Sequence, residues 1–320
     1  MHPPLSSLFF RYYVPRPDEL GRSQNSEDGF VAGRFAHSVR MYMDPPPHPD
    51  WIDIYHHIDS VKFPSPFISV SNALFWILRL ALKEASRKDA PQNARIAIID
   101  AQRLNSRAVF YAAPLHAETR KKYGYHEGAW NYHGTHEFLI WREIPGEAII
   151  KTIRVTDLLR LVRETPSIDK MLAFKTLLGD KENTSNKSNK SNKSNRRGYK
   201  TKILPSFRAR NLPLTPVVVK GIAAIVDFLG LNHLQMGGIS HIVSDLIQGW
   251  ALHLDSTMDW AAFATIFEQA LFEKVGNERC LSARNSEARL GFLDGLRWGC
   301  SKRFNTRHNA GDIRRMQKQA

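Results

Sequence analysis

The run NTSNKSNKSNKSNRRGYK, residues 183–200, divides this 320-residue chain into two parts with different patterns. It repeats Asn-Lys-Ser three times and has no apolar side chain before Tyr199. Such a stretch cannot bury enough surface to offset the conformational entropy lost on folding. Residues 179–202 are therefore expected to form a disordered linker. The four Asn-x-Ser triplets inside it read as chance, because the N-terminal residues show no basic region, apolar run and cleavage site of a secretory signal.

Before the linker the pattern mixes strands and helices. LFFRYYV (8–14), FPSPFISV (63–70) and ARIAIIDA (94–101) read as strands, and residues 18–50, rich in proline and polar groups, read as largely irregular. SNALFWILRLALKEASRK places apolar residues at helical spacing behind Ser71 or Asn72 as N-cap. EFLIW (137–141) and AIIKTIRV (148–155) read as two strands paired across Pro145-Gly146, followed by a helix capped by Thr156 or Asp157. After the linker the signal is helical throughout. Thr215 caps a helix opening on Pro216; Ile239, Ile242, Val243, Leu246, Ile247 and Trp250 mark the apolar face of a second; residues 259–276 and 286–299 supply a third and fourth. The segregation predicts an α+β domain over 1–178, an all-helical domain over 203–300 and a basic flexible tail over 301–320.

The net charge of +14 is concentrated. Residues 181–210 hold ten Lys/Arg against one Glu, and residues 296–320 hold seven against one Asp, which leaves the remainder near neutral. Basic charge on mobile segments implies weak, nonspecific attraction to polyanions rather than a folded DNA-reading surface. Residues 225–247 have helix–turn–helix rhythm with Gly237-Gly238 as the turn, but the second helix is acidic and apolar where bases would be read. No run approaches 18 apolar residues, so no membrane insertion is expected. Two cysteines, Cys280 and Cys300, form neither a metal motif nor a disulfide framework, which fits an intracellular setting, cytoplasm or nucleus. His126-Glu127, His133 and His136 lack zinc-helix spacing, and no phosphate-cradling glycine loop or G-x-S-x-G elbow is present.

Glu137 opens an apolar strand. Either it reaches water at a strand end, or it is a carboxylate held at a cleft. Four phrases bear on the choice: FRYYVPRPDELGRS with Arg11, IYHHI with His57, FISVS with Ser69, and THEFLIWREIP with Glu137. Their order resembles the ADP-ribosyltransferase fold, in the branch of the cholera-like and heat-labile enterotoxin catalytic subunits, over roughly residues 8–155. SPFISVS and THEFLIW also resemble a domain of fungal proteins without assigned function. The resemblance implies a split β-sheet domain and an NAD-consuming transferase or NAD glycohydrolase, a glycosyltransferase-type chemistry with no metal. It implies Glu137, Ser69 and Arg11 as catalytic residues, and Arg11, His57, Ser69 and Ser71 as NAD-binding residues. The alternative is a catalytically silent relative that uses the same cleft for binding.

Each residue also has a structural explanation: an outward arginine, a strand-end serine acting as cap, a satisfied histidine. The chain departs from arginine-modifying relatives at Thr135, where they carry the first carboxylate of Glu-x-Glu, and Val70 replaces the middle Thr of Ser-Thr-Ser. An active domain is therefore expected not to modify arginine. The stretch 116–134, rich in Tyr, Trp and His, is expected to be a loop that either recognises a protein target or clamps itself to the body.

Overall fold

The computed structural model describes residues 7–15, 24–36, 44–59, 64–123, 134–178, 203–231, 236–254, 259–273 and 281–305. The linker at 179–202 and the tail beyond 305 lie outside these residues, as do Cys280 and residues 124–133 of the expected loop. The architecture is α+β: a six-stranded antiparallel sheet with helices and a small second sheet, followed by a helical part. Inter-residue contacts divide the chain after Leu158 rather than after 178, so the helical unit takes in residues 159–178.

In the first unit the elements run β1 (Leu8–Tyr13), β2 (Gln24–Ser26), β3 (Gly29–Val31), α1 (Trp51–Asp59), β4 (Phe67–Ser71), α2 (Leu74–Ala85), β5 (Arg95–Asp100), β6 (Val109–Tyr111), α3 (Ala112–Tyr123), β7 (Glu137–Trp141), β8 (Glu143–Pro145) and β9 (Ile149–Arg154). The large sheet has the order β6-β7-β4-β1-β5-β9, and β2-β3-β8 form a second sheet. Alternation along the strands sorts side chains to two faces. Phe9, Tyr13, Ile68, Val70, Phe138 and Ile140 pack with Phe30 of β3 and Ile144 of β8. On the other face Phe67, Leu139 and Trp141 pack with Ile54 of α1 and Ala112 of α3. The uninterrupted Ile96–Ile99 run is fully buried, as a strand covered on both faces requires.

Several local expectations are corrected. β7 and β9 are not a hairpin: β7 lies between β6 and β4, and β9 lies at the far edge beside β5. Arg142, at a φ of 68°, turns the chain out of the large sheet, and Ile144 and Pro145 then pair with β3. Pro145 is tolerated because β8 is an edge strand, where a missing N–H need break no ladder. Residues 24–31, expected to be irregular, form a hairpin that turns at Glu27-Asp28, and Gly29 opens the second strand at a φ of 141°, which suits a residue without Cβ. The Ser71 hydroxyl accepts from Ala73 N at 3.1 Å, so it stabilises the turn before α2 rather than capping the helix, whose N-cap position is Ala73. The next helix, α4 (Val155–Glu164), begins before Thr156 and Asp157, and Asp157 instead pairs with Arg154. Residues 116–123 are helical, as the second half of α3, and do not belong to a loop.

The helical unit contains α5 (Pro166–Leu172), α6 (Phe174–Leu178), α7 (Leu204–Ala209), α8 (Pro216–Phe228), α9 (Met236–Gly249), α10 (Trp260–Phe272) and α11 (Leu281–Asn305). Thr215 caps α8 as expected from the sequence, and Asp259 caps α10, each accepting from backbone N–H groups. The six apolar positions chosen for the second helix are all buried, and Trp250 Nε1 donates to Leu172 O at 2.8 Å, tying α5 to this unit. Gly237 and Gly238 lie inside α9 and make no turn between helices. The fourth helix continues to Asn305, five residues into the segment expected to be a flexible tail. Among the described residues no helix is long and apolar enough to cross a membrane.

Candidate functional site

The pairing of β4 with β7 brings Ser71 opposite Glu137 and Ser69 opposite Leu139. Residues paired across antiparallel strands point to the same face, so Ser69, Ser71 and Glu137 share one. Ser69 stands beside the Glu137 carboxylate and helps to lower its pKa. The other neighbour of β4 is β1, and these two pair at a single position, Phe10 with Ser71. Beyond it the strands part. Arg11 occupies the opening: its Nη1 donates to Ser69 O at 2.6 Å and its Nη2 to Asn25 Oδ1 at 3.0 Å. Arg11 shares the face of Phe9 and Tyr13, with Cζ 5.2 Å from the Phe30 ring centre. It therefore meets Ser69 through the carbonyl oxygen, not through the hydroxyl or Glu137. Burial lowers its pKa to about 10, with Tyr13 partly opposing, so it stays cationic at neutral pH.

His57 arrives on α1. A two-pronged ion pair between Arg34 and Asp53 holds that helix to the turn after β3. His57 Nε2 lies 2.7 Å from Ser69 Oγ, and its Nδ1 lies 2.6 Å from Ser65 Oγ. Burial lowers the imidazole pKa to about 4, the effect of Glu137 being outweighed, so the ring is neutral at pH 7. The tautomer is linked to the Ser69 proton, which either His57 Nε2 or the Glu137 carboxylate can accept. When it goes to Glu137, His57 Nε2 carries the hydrogen given to Ser69 Oγ, and Nδ1 accepts from Ser65 O–H. Ser65 Oγ itself accepts from Phe67 N at 3.0 Å, which leaves its proton for His57. In that arrangement the donors run one way, Ser65, His57, Ser69, Glu137, and the ring gives a proton to the Ser69 hydroxyl instead of taking one.

Glu137 has a hydrogen-bond donor that sequence reasoning missed. His116 on α3 lies with Nε2 3.1 Å from Glu137 Oε2, and its side chain is 4% exposed against 17% for Glu137. Burial pushes the Glu137 carboxyl up, but the hydrogen bond from His116 and the nearby Ser69 hydroxyl outweigh it and hold the group below the usual carboxylate range. The missed signal was periodic: Ala112, His116 and Thr119 are the buried residues of α3, at spacings of four and three. Asn25 was missed because its hairpin was read as irregular.

The depressed values of Glu137 and His57 act alike on stability. Each group binds its proton more weakly folded than unfolded, so its contribution is present above the unfolded pKa and is lost as pH falls through the folded one.

Of the five residues singled out in the sequence, Arg11, His57, Ser69 and Glu137 form one connected set, whereas the Ser71 hydroxyl is engaged by Ala73. Thr135 is exposed two residues before Glu137, its carbonyl accepting from Tyr111 OH at 3.2 Å. Among the described residues no group of His, Cys, Asp and Glu could hold a metal ion. No curated protein matches the chain. A family described as a domain of unknown function (DUF7587) matches residues 4–158, and the chain is similar to it over the whole segment that carries Arg11, His57, Ser69, His116 and Glu137.

Proposed function

We propose that residues 8–158 form an NAD-cleaving domain of ADP-ribosyltransferase type, a transferase or NAD glycohydrolase that does not modify arginine. The observation that carries the reading is Glu137, partly open to solvent and 3.1 Å from His116 Nε2, on the same face of adjacent strands as Ser69, with its carboxyl held below the usual range. The opening between β1 and β4, with Arg11 in it, supports the split-sheet comparison.

The residues fit a dinucleotide in kind. Arg11 gives two N–H groups to Ser69 and Asn25, while its buried Nε has no protein partner among the described residues. A guanidinium offers five donors, so capacity for a phosphate or ribose oxygen remains. When bound, NAD supplies an N-glycosidic bond to a leaving group that is already cationic. Neutral glycosides need a carboxylic acid of raised pKa to protonate their leaving oxygen. Glu137 has a lowered pKa and His57 is neutral, so the described site offers a fixed negative charge and no such acid. Glu137 would stabilise positive charge developing on the sugar, Ser69 would fix its rotamer, and neutral His57 would keep the Ser69 proton aimed at it. Arg11 would offset phosphate charge.

A catalytically silent binding module is the second reading. It is favoured by Thr135 and by the satisfaction of Glu137 within the protein.

Thr135 gives the test of acceptor class. A hydroxyl cannot steer and help deprotonate a guanidinium, whose pKa exceeds about 12. Nicotinamide release from NAD should exceed modification of agmatine, a free guanidine, by about tenfold or more, and Thr135→Glu should raise agmatine labelling. Chromatography of both products checks this, and efficient agmatine labelling by the natural chain would contradict the assignment of Thr135.

A further inference from the structure

We propose that His116 is a positioning residue of this site, the donor on α3 that fixes the orientation of the Glu137 carboxylate; the proposal rests on reading Glu137 as the acting group. Its Nε2 lies 3.1 Å from Glu137 Oε2, and the side chain is 4% exposed, so it acts through Glu137 rather than on a substrate. The chain builds a seat for the ring. Gly134 has a φ of 64°, and a Cβ there would lie 2.7 Å from His116 Cδ2. The carbonyl of the same glycine accepts from Glu137 N at 3.1 Å. One residue thus admits the imidazole and anchors the backbone of the carboxylate it serves. The groups facing Glu137 come from three elements: His116 from α3, His57 from α1 and Ser69 from β4, with the Arg11 charge acting on His57 from β1.

Without His116, burial and the nearby Ser69 hydroxyl compete for Glu137, and burial is the largest single influence on it. The carboxyl should then bind a proton more readily and lose its fixed rotamer. The test is carbon NMR titration of Glu137 in the full chain, with His116→Phe and His116→Gln alongside the natural protein. The Glu137 midpoint should lie below the ordinary carboxylate range in the natural chain and rise above it in His116→Phe. It should rise less in His116→Gln, whose amide can still donate. In the same samples, kcat for nicotinamide release should fall by roughly tenfold or more in His116→Phe with KM little changed. The acid limb of its pH profile should move upward, and His116→Gln should recover most of the loss.

An unmoved midpoint in a folded His116→Phe protein, or a His116→Gln protein no better than the Phe variant, would overturn the proposal. Nitrogen NMR of the natural chain needs no variant: His116 should be protonated at Nε2 at pH 7, and an unprotonated Nε2 would overturn it equally. A moved midpoint in a protein that releases no nicotinamide would keep the pair and defeat the NAD reading. Nicotinamide release with an unmoved midpoint would do the reverse.

Discussion

Glu137→Gln should lower nicotinamide release from NAD by about 100-fold or more while the protein still folds and binds the dinucleotide. The substitution keeps the shape of the side chain and removes its charge. A glutamine oxygen can still accept from His116 Nε2, the donor that meets the carboxylate, so the local packing has a way to survive. Removing a partly buried charge also relieves its desolvation cost, which offsets the weaker hydrogen bonds to a neutral amide. A melting temperature within a few degrees of the natural chain is therefore expected. Chromatographic assay of nicotinamide, with a thermal melt on the same sample, checks both halves. Retention of a tenth or more of the activity would mean that another group carries the charge.

Gly295→Ala should destabilise the helical unit by roughly 3 kcal/mol, although alanine is the better helix former by about 1 kcal/mol. Gly291, Gly295 and Gly299 recur every fourth residue on α11 and face Ile239, Val243 and Ile247 of α9. A Cβ on Gly295 would lie 2.6 Å from Val243 Cβ and 2.7 Å from Ser240 O. One of those atoms is backbone, so the helices must separate, and the surrounding apolar contacts loosen with them. Gly221 on α8 is the control, because a Cβ there meets nothing closer than 3.8 Å. Gly221→Ala should leave stability unchanged or raise it by up to about 1 kcal/mol. Urea unfolding of both variants measures the difference, and a Gly295→Ala protein as stable as the natural one would show that α9 and α11 are not in this close contact.

What the sequence made legible follows the physics of each signal. The Ile96–Ile99 run and the Thr215-Pro216 start are local patterns with one reading each, and both are found where expected. Arg11, His57, Ser69 and Glu137 were legible as residue types in an order, yet nothing in that order specified their contacts. Their connection depends on the β1–β4 opening and on α1 being docked by Arg34 and Asp53, both set by distant pairings. The β7–β9 hairpin was misread because Pro145-Gly146 is a strong turn signal, while the rival pairing of Ile144 with Phe30 crosses more than a hundred residues. His116 was hidden by composition: the Tyr, Trp and His residues of 116–134 suggested a binding loop, and the helical spacing of Ala112, His116 and Thr119 was too short a pattern to stand out. Ser71 was legible as a serine near the site but not as one whose hydroxyl turns back to Ala73.

The central claim is that the cleft around Glu137 takes NAD and breaks its bond to nicotinamide. Calorimetric titration of NAD into the 320-residue chain, followed by chromatography of the cell contents, tests it most directly. The account predicts saturable binding below ~1 mM NAD, about 4 kcal/mol of binding free energy or more, with free nicotinamide accumulating over time. Neither heat nor nicotinamide at that concentration would contradict it and leave the Ser65–His57–Ser69–Glu137–His116 network as a structural or recognition element.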